Sequence, residues 1–154
     1  MMVYSNIEDV AEFYLKKRAM SNKKLNKILY YAYSWTLTLL NDIEVGIENK
    51  LFSEKFEAWV HGPVCPIIYH KYKKYGWEDI PQTNFEKSLP PQIVEVLDEV
   101  WNVYSEYSAD ELESMTHQEL PWREIRIGLS PFDPCDKELN DETIFRYYTE
   151  MMTK

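Results

Sequence analysis

The sequence predicts one mainly α-helical (α+β) domain of about six to seven helices, with one small antiparallel β-hairpin near residues 51–60. Three observations carry this. Apolar residues recur at helical spacing in several separate segments. Short β-like pieces are confined to one stretch in the first half of the chain. With 154 residues and only 4 glycines, the chain suits a single domain, residues 1–154, and has little material for flexible linkers or Gly-rich phosphate loops.

The elements follow in order. Ser5-Asn6-Ile7-Glu8 has capping-box spacing, and Ile7, Val10, Phe13 or Tyr14 continue a helical stripe, so a first helix runs from about Ile7 to Arg18. Ser21 or Asn22 caps the second helix, whose stripe is Leu25, Ile28, Leu29, Ala32, Trp35 and Leu39. From Asn41 to Val60 the helical period fails. Leu51-Phe52 and residues 56–60 read as strands of the hairpin, and Gly62-Pro63 ends that section. Residues 64–75 form a helix with Pro63 or Pro66 in its first turn and Gly76 as its C-terminal stop. A polar loop over 81–91 precedes a helix from Pro91 to Tyr107. Ser108 and Glu111 repeat the capping-box spacing and open a short helix through Met115. Pro121-Trp122 opens another that ends near Gly128, and Asn140 or Asp141 caps a last helix through about Met151.

Composition narrows the functional classes. No apolar run has the length of a membrane span, and the first residues lack a basic flank followed by an apolar run, so neither a membrane partner nor a signal peptide is expected. Two cysteines, Cys65 and Cys135, do not make a disulfide framework, and a reduced, cytoplasmic setting is expected. The net charge of −9 is unevenly spread: residues 1–80 carry +1 and residues 81–154 carry −10. An acidic half repels nucleic acid and favours basic protein surfaces; it equally suits a solvated face. The 12 tyrosines and 5 tryptophans suit a dense core, a contact surface, or both.

Candidate chemistry is sparse. His61, Cys65 and His117 are the residues from which a hydrolytic enzyme site would be built. His61 and Cys65 are separated by Gly62-Pro63 and need not share a face, no second cysteine pair completes a zinc site, and nothing local lowers the Cys65 thiol, so no metal and no cofactor are expected. Acids such as Asp110, Glu111 and Glu113 sit where a helix N-terminus favours negative charge. Lys16-Lys17-Arg18 with Lys23, Lys24 and Lys27 form a basic cluster; a solvated helix end accounts for it better than nucleic-acid binding does.

Several blocks resemble one family when read together. Lys24-Leu25-Asn26-Lys27-Ile28-Leu29-Tyr30-Tyr31-Ala32 resembles its "K-L-x-K-L-x-Y-x-A" helix. Phe56-Glu57-Ala58-Trp59-Val60-His61-Gly62-Pro63-Val64 resembles its "F-x-A-W-x-x-G-P-V" segment, followed by Tyr69. Met115-Thr116-His117, Pro121-Trp122 and a closing helix with Ile144, Tyr147 and Tyr148 resemble its later blocks. The family is the Panacea-domain, SocA-like antitoxins, also described as phage-associated proteins, and the resemblance spans about residues 21–148. It implies a mostly helical antitoxin that neutralises a protein toxin by direct binding. One branch acts instead as an adaptor that delivers its toxin to a protease, and a phage host-interaction factor is a further alternative.

Physical readings of the motif residues stand beside that resemblance. Trp59 plugs the core beneath the hairpin, Gly62 takes a backbone conformation closed to other residues, Pro63 presets the next helix, and Trp122 after Pro121 anchors a short helix. Tyr30, His61, Tyr69 and His117 are expected to lie near one another and line a partner-binding groove. Asp110, Glu111, Glu113 and Glu119 are expected to form an acidic docking surface for a toxin with a basic face.

Overall fold

A helix that is apolar nearly all the way round has to be buried on every side. Residues 25–33 of this chain impose that condition on the second helix. In the computed structural model, which describes residues 1–153, this helix, α2 (Asn22–Leu39), has 14 of its 18 residues buried and so forms the axis of the fold. Around it pack α1 (Ile7–Lys17), α3 (Pro66–Tyr72), α4 (Pro91–Tyr104), α5 (Ala109–His117) and α7 (Asp141–Met152). A short α6 (Leu120–Ile125) bridges α5 and α7, and a 3₁₀ turn, Lys73–Tyr75, continues α3. The expected stripe is therefore only part of the buried surface. Leu39, placed in the stripe, is exposed, and Trp35 is half-buried, because the helix end emerges between α4 and α7.

The strands are small and pair in three separate places. β1 (Met2–Val3) lies parallel to β3 (Asn49–Lys50), β2 (Met20–Ser21) antiparallel to β6 (Asp79–Ile80), and β4 (Glu57–Trp59) antiparallel to β5 (Gly62–Val64). The hairpin thus covers residues 57–64, later in the chain than 51–60. Gly62-Pro63 does not end the segment but supplies its second strand. Gly62 has φ of 102°, a left-handed value that lets the chain turn back after His61. Pro63 faces Ala58 between the pairs Glu57–Val64 and Trp59–Gly62, where a missing N–H removes nothing from the ladder. Leu51 and Phe52 are buried without being strand residues, and the Leu51 carbonyl accepts from the Ser5 N–H at 2.8 Å.

Helix ends obey local chemistry, with some shifts from expectation. Asn6, not Ser5, caps α1: its side chain accepts from the Asp9 N–H at 2.9 Å, while Ser5 is engaged with residue 51. Ser21 caps α2, Ser108 and Glu111 form a complete capping box on α5, and Asn140 caps α7. Pro66, not Pro63, opens α3. Helix α4 stops at Tyr104, where the Ser105 carbonyl accepts from Lys24 Nζ at 2.6 Å and Arg18 Nη1 at 3.2 Å. The basic cluster is consequently not a bare solvated end. Lys16 donates to the Phe85 carbonyl, Lys17 pairs with Asp98, Lys23 with Asp110, and Lys27 donates to the Pro63 carbonyl.

Much of the core is tyrosine, and the buried hydroxyls are used inside it. Tyr31 stacks on Tyr104 at 4.0 Å, and Tyr30 meets Tyr31, Phe56 and Tyr148 edge-on. At the centre of this cluster lies the carboxylate of Glu119, only 8% exposed. Its Oε1 accepts from Tyr148 at 2.7 Å and Tyr31 at 3.1 Å, and Tyr148 also reaches the Tyr30 hydroxyl at 3.2 Å. Burial pushes the Glu119 carboxyl up to about 7, against the pull of the two tyrosine donors.

Between the ordinary carboxylate range and that value, the folded protein keeps a proton that the unfolded chain has released. Stability from this group is therefore full at acid pH and is lost as pH rises through about 7. In Glu119→Gln the amide oxygen still accepts from the tyrosines, but nothing titrates. Denaturant melts from acid to mildly alkaline pH should show wild type losing roughly 2–3 kcal/mol relative to E119Q across that window. Parallel profiles would mean that Glu119 is ionised throughout.

Candidate functional site

The buried polar residues in the first half of α2, Asn22, Asn26 and Lys27, turn toward the hairpin and α3, and each finds a partner there. Asn22 donates to the Tyr69 carbonyl at 3.0 Å, and Asn26 accepts from the Cys65 N–H at 2.9 Å while donating to Asn22. Lys27 is 0% exposed and donates to the Pro63 carbonyl at 3.0 Å. Burial lowers its ammonium to about 7, with Lys23 adding to the fall and Glu113 opposing it. The hairpin is cut away to make room for it. A Cβ at Gly62 would lie 2.6 Å from Lys27 Cε and 2.9 Å from Thr116 Oγ1. Gly62 is therefore fixed twice, by its φ and by the lysine beneath it.

Above Lys27 opens a groove of about 600 Å³ between α2, the hairpin, α3 with its 3₁₀ turn, and the start of α5. Trp59, Tyr69 and Trp77 give it aromatic walls; Lys23, Lys27, Lys73, His61 and Asp110 supply its charged and titratable groups. Trp59 and Tyr69 meet edge-on at 4.9 Å. Trp77 is 93% exposed, which a large aromatic side chain tolerates in isolation but which favours a partner at the rim of a groove. Trp59 is half-buried and also borders a second cavity of about 540 Å³, with Val60, His61, Pro134, Cys135 and Asp136. It is thus a wall between two cavities and not a plug of the core; Phe56 and Ala58 fill the core beneath the hairpin.

Helix α5 supplies the electrostatic hub. Glu113 forms ion pairs with Lys23 and, at 3.2 Å, with His61 Nδ1, and its other oxygen lies 4.0 Å from His117 Nε2. Burial raises the Glu113 carboxyl, but Lys23 and His61 outweigh it and hold it below the ordinary value. His117 is half-buried and stacks on Trp122 at 4.0 Å. Burial lowers its imidazole, against Glu113 and a backbone hydrogen bond with Val60. Trp122 Nε1 in turn donates to the Trp59 carbonyl at 2.8 Å, so the "P-W" block clamps the hairpin. Arg126 completes the clamp: its guanidinium donates to the carbonyls of Ala58 and Asp133 and lies over the Trp122 ring.

These positions sort the expected site residues. His61 and Tyr69 line one groove, and His117 joins them through Glu113 from behind the hairpin. Tyr30 does not belong with them; it is buried in the tyrosine core, because every face of α2 is covered. Of the acidic set, Asp110 and Glu111 are exposed, although Asp110 pairs with Lys23 at 2.7 Å and Glu111 caps its own helix. Glu113 is spent on Lys23 and the histidines, and Glu119 is buried, so neither offers a free surface charge. Pro63 contributes its carbonyl to Lys27 and does not preset α3, a role taken by Pro66. Gly62, Pro121 and Trp122 have backbone and packing roles. Cys65 is buried, and burial pushes its thiol up, the opposite of what a nucleophile requires. Among the described residues no three His, Cys, Asp or Glu side chains cluster as metal ligands.

Sequence reasoning missed Lys27, Lys73 and Trp77. The signal for Lys27 was present: a lysine between Asn26 and Ile28, in a helix whose next residues are apolar on all sides, is enclosed with them. Trp77 follows the Gly76 stop of a short helix, and only the tertiary arrangement brings it to the groove.

Gly46 provides an internal control for Gly62. Both have a left-handed φ, but nothing lies within 4 Å of a Cβ at Gly46. Gly46→Ala should cost about 1 kcal/mol from backbone strain alone, and Gly62→Ala roughly 2–4 kcal/mol from strain plus collision with Lys27 and Thr116. Urea melts compare the two directly, and equal losses would refute the close approach.

The family model described as "Antitoxin SocA-like, Panacea domain" matches residues 25–123, which include most of α2, the hairpin, most of the groove lining and Trp122 of the clamp. The chain is 29% identical to a protein named "Antitoxin SocA" from Caulobacter vibrioides (strain NA1000 / CB15N), over 89% of this chain and 81% of that protein. No solved structure matches the chain. No helix is long and apolar enough to cross a membrane among the described residues. The second helix from Leu25 onward, the hairpin it holds and Trp122, which clamps that hairpin, fall within the matched region, and the chain belongs to the SocA-like antitoxin family with a Panacea domain.

Proposed function

We propose that this protein neutralises a partner toxin by direct protein–protein binding, and that a segment of the toxin docks in the groove walled by Trp59, Tyr69 and Trp77. The observation that carries the reading is the groove itself. It joins aromatic walls, a fixed charged floor and an almost fully exposed tryptophan at its rim, the combination that concentrates binding energy in protein interfaces. Its frame is rigid: the hairpin is held from below by Lys27 and from the side by Trp122 and Arg126. A rigid frame lowers the ordering cost of association.

The acid excess over residues 81–154 supports a toxin with a basic surface, met outside the groove by Glu111 and other exposed acids. The protein acts by binding and not by catalysis, a reading supported by the buried Cys65 thiol and the stacked His117. We place it in the cytoplasm, where an antitoxin meets a newly made toxin.

The test begins with the open reading frame beside the gene for this chain. Its expression alone should stop growth, and co-expression with wild type should restore it. His61→Ala and Trp77→Ala remove exposed rim side chains and should leave the melting temperature unchanged. Each should weaken toxin binding by about tenfold or more in calorimetry. Unchanged affinity in both variants would move the docking surface elsewhere. The association rate should fall as salt is raised; a flat rate would count against a basic partner. Rescue that disappears in cells lacking a protease would replace neutralisation by binding with delivery for degradation.

A further inference from the structure

The groove has an internal charge pattern that the acid excess of the chain conceals. Three lysines and one aspartate line it. Lys23 is neutralised by Asp110 and Glu113. Lys27 and Lys73 make no ion pair among the described residues, and Lys27 is the one held in place. An ammonium has three N–H donors, and the carbonyl of Pro63 takes one. A buried cation with so few partners is costly unless a counter-charge comes to it. The fold nevertheless shapes itself around this cation, because Gly62 gives up its Cβ for the lysine stem. An apolar side chain would fill the same space without the penalty.

Resting on the reading that this groove docks the partner, we propose that it receives a carboxylate carried by an extended segment of the partner protein, with the exposed Lys73 touching it at the rim and Lys27, enclosed beneath the floor, attracting it by charge from below. Lys73 supplies a second positive charge from the 3₁₀ turn, and Trp59, Tyr69 and Trp77 cover the residues flanking the acid. Charge complementarity selects the occupant: the unpaired charges within the groove are positive, while the surface of the second half of the chain is negative. A partner with a basic face and one acidic residue on its docking segment matches both, and opposite signs across one contact fix its register.

The charged and titratable groups around Lys27 are Lys23 on its own helix, Asp110, Glu113 and His117 on α5, His61 in the hairpin turn and Lys73 beyond α3. A carboxylate arriving in this setting favours the charged amine. Binding therefore takes up a proton near neutral pH and weakens in alkali as Lys27 discharges.

A random dodecapeptide library displayed on phage, selected on wild type, Lys27→Met and Trp77→Ala, tests the proposal. Wild type should enrich peptides with Asp or Glu beside an aromatic or apolar residue. Replacing that acid by its amide, or using K27M, should weaken a selected peptide by about tenfold. K27M should fold, since Met matches the lysine stem in length and relieves a buried charge. If it does not fold, calorimetry of wild type with the selected peptide in buffers of different ionisation enthalpy decides by proton uptake. Selected peptides that need Trp77 but carry no acid, or that bind K27M equally, overturn the role of Lys27 and keep the groove. Peptides indifferent to Trp77 overturn the groove reading as well. NMR titration with inorganic phosphate and with AMP is the remaining arm: shifts at Gly62 and Thr116 with either, and none with acidic peptides, overturn the proposal in favour of a small anion.

Discussion

A helix that is buried along most of its length needs internal partners for the polar side chains it carries. Helix α2 carries six that are buried: Asn22, Asn26, Lys27, Ser34, Thr36 and Thr38. Of the later ones, Ser34 bonds back to the Tyr30 carbonyl and Thr38 to the Ser34 carbonyl, while the Thr36 hydroxyl is left without a partner. The earlier ones cannot all do so, and they determine what surrounds them. Asn22 and Asn26 fasten the start of α3 and the end of the hairpin, and Lys27 fixes Pro63. The hairpin, which would be marginal alone, gains its position from these bonds and from the Trp122 and Arg126 clamp.

Charge is distributed by the same logic. The formal imbalance between the halves of the chain suggests a broad acidic face, but many of the acids have internal partners. Glu113 joins Lys23 to the histidines, Asp141 joins Lys50, Lys55 and the Tyr33 hydroxyl, and Glu119 is enclosed by tyrosines. Several of these ion pairs run between the near-neutral first half and the acidic second half, so the uneven charge helps tie the two halves of one domain together. The groove keeps Lys27 and Lys73 as its charges without an ion pair among the described residues, and both are positive.

Helices were legible because their signals are local. Period, caps and stop residues located all seven within a few residues, and the box of Ser108 and Glu111 appears as written in the sequence. The hairpin was misplaced because Gly62-Pro63 reads locally as a break, and only its pairing partner reveals that the proline sits where no N–H is needed. Among groove residues, motif spacing pointed to His61 and Tyr69, while Trp59 was assigned to the core and instead lines the groove. Tyr30 and Glu119 were assigned to surfaces because polarity suggests exposure; their burial depends on hydroxyl and carboxylate groups contributed by three distant segments. Trp77 carries no local signal at all, since its role comes from where the chain ends up.

The relation of Gly62 to Lys27 divides the groove into two kinds of position. The floor is shared with the core, so a change there must be answered by a change in the helix or the hairpin. The rim residues Lys73, Trp77 and Asp110 are anchored only by exposed segments and carry no such obligation. Mutational paths that alter the rim are therefore short and independent, while those that alter the floor require paired steps. A lineage of such proteins can vary the edge one residue at a time, while the depth and polarity of the cleft are inherited with the fold.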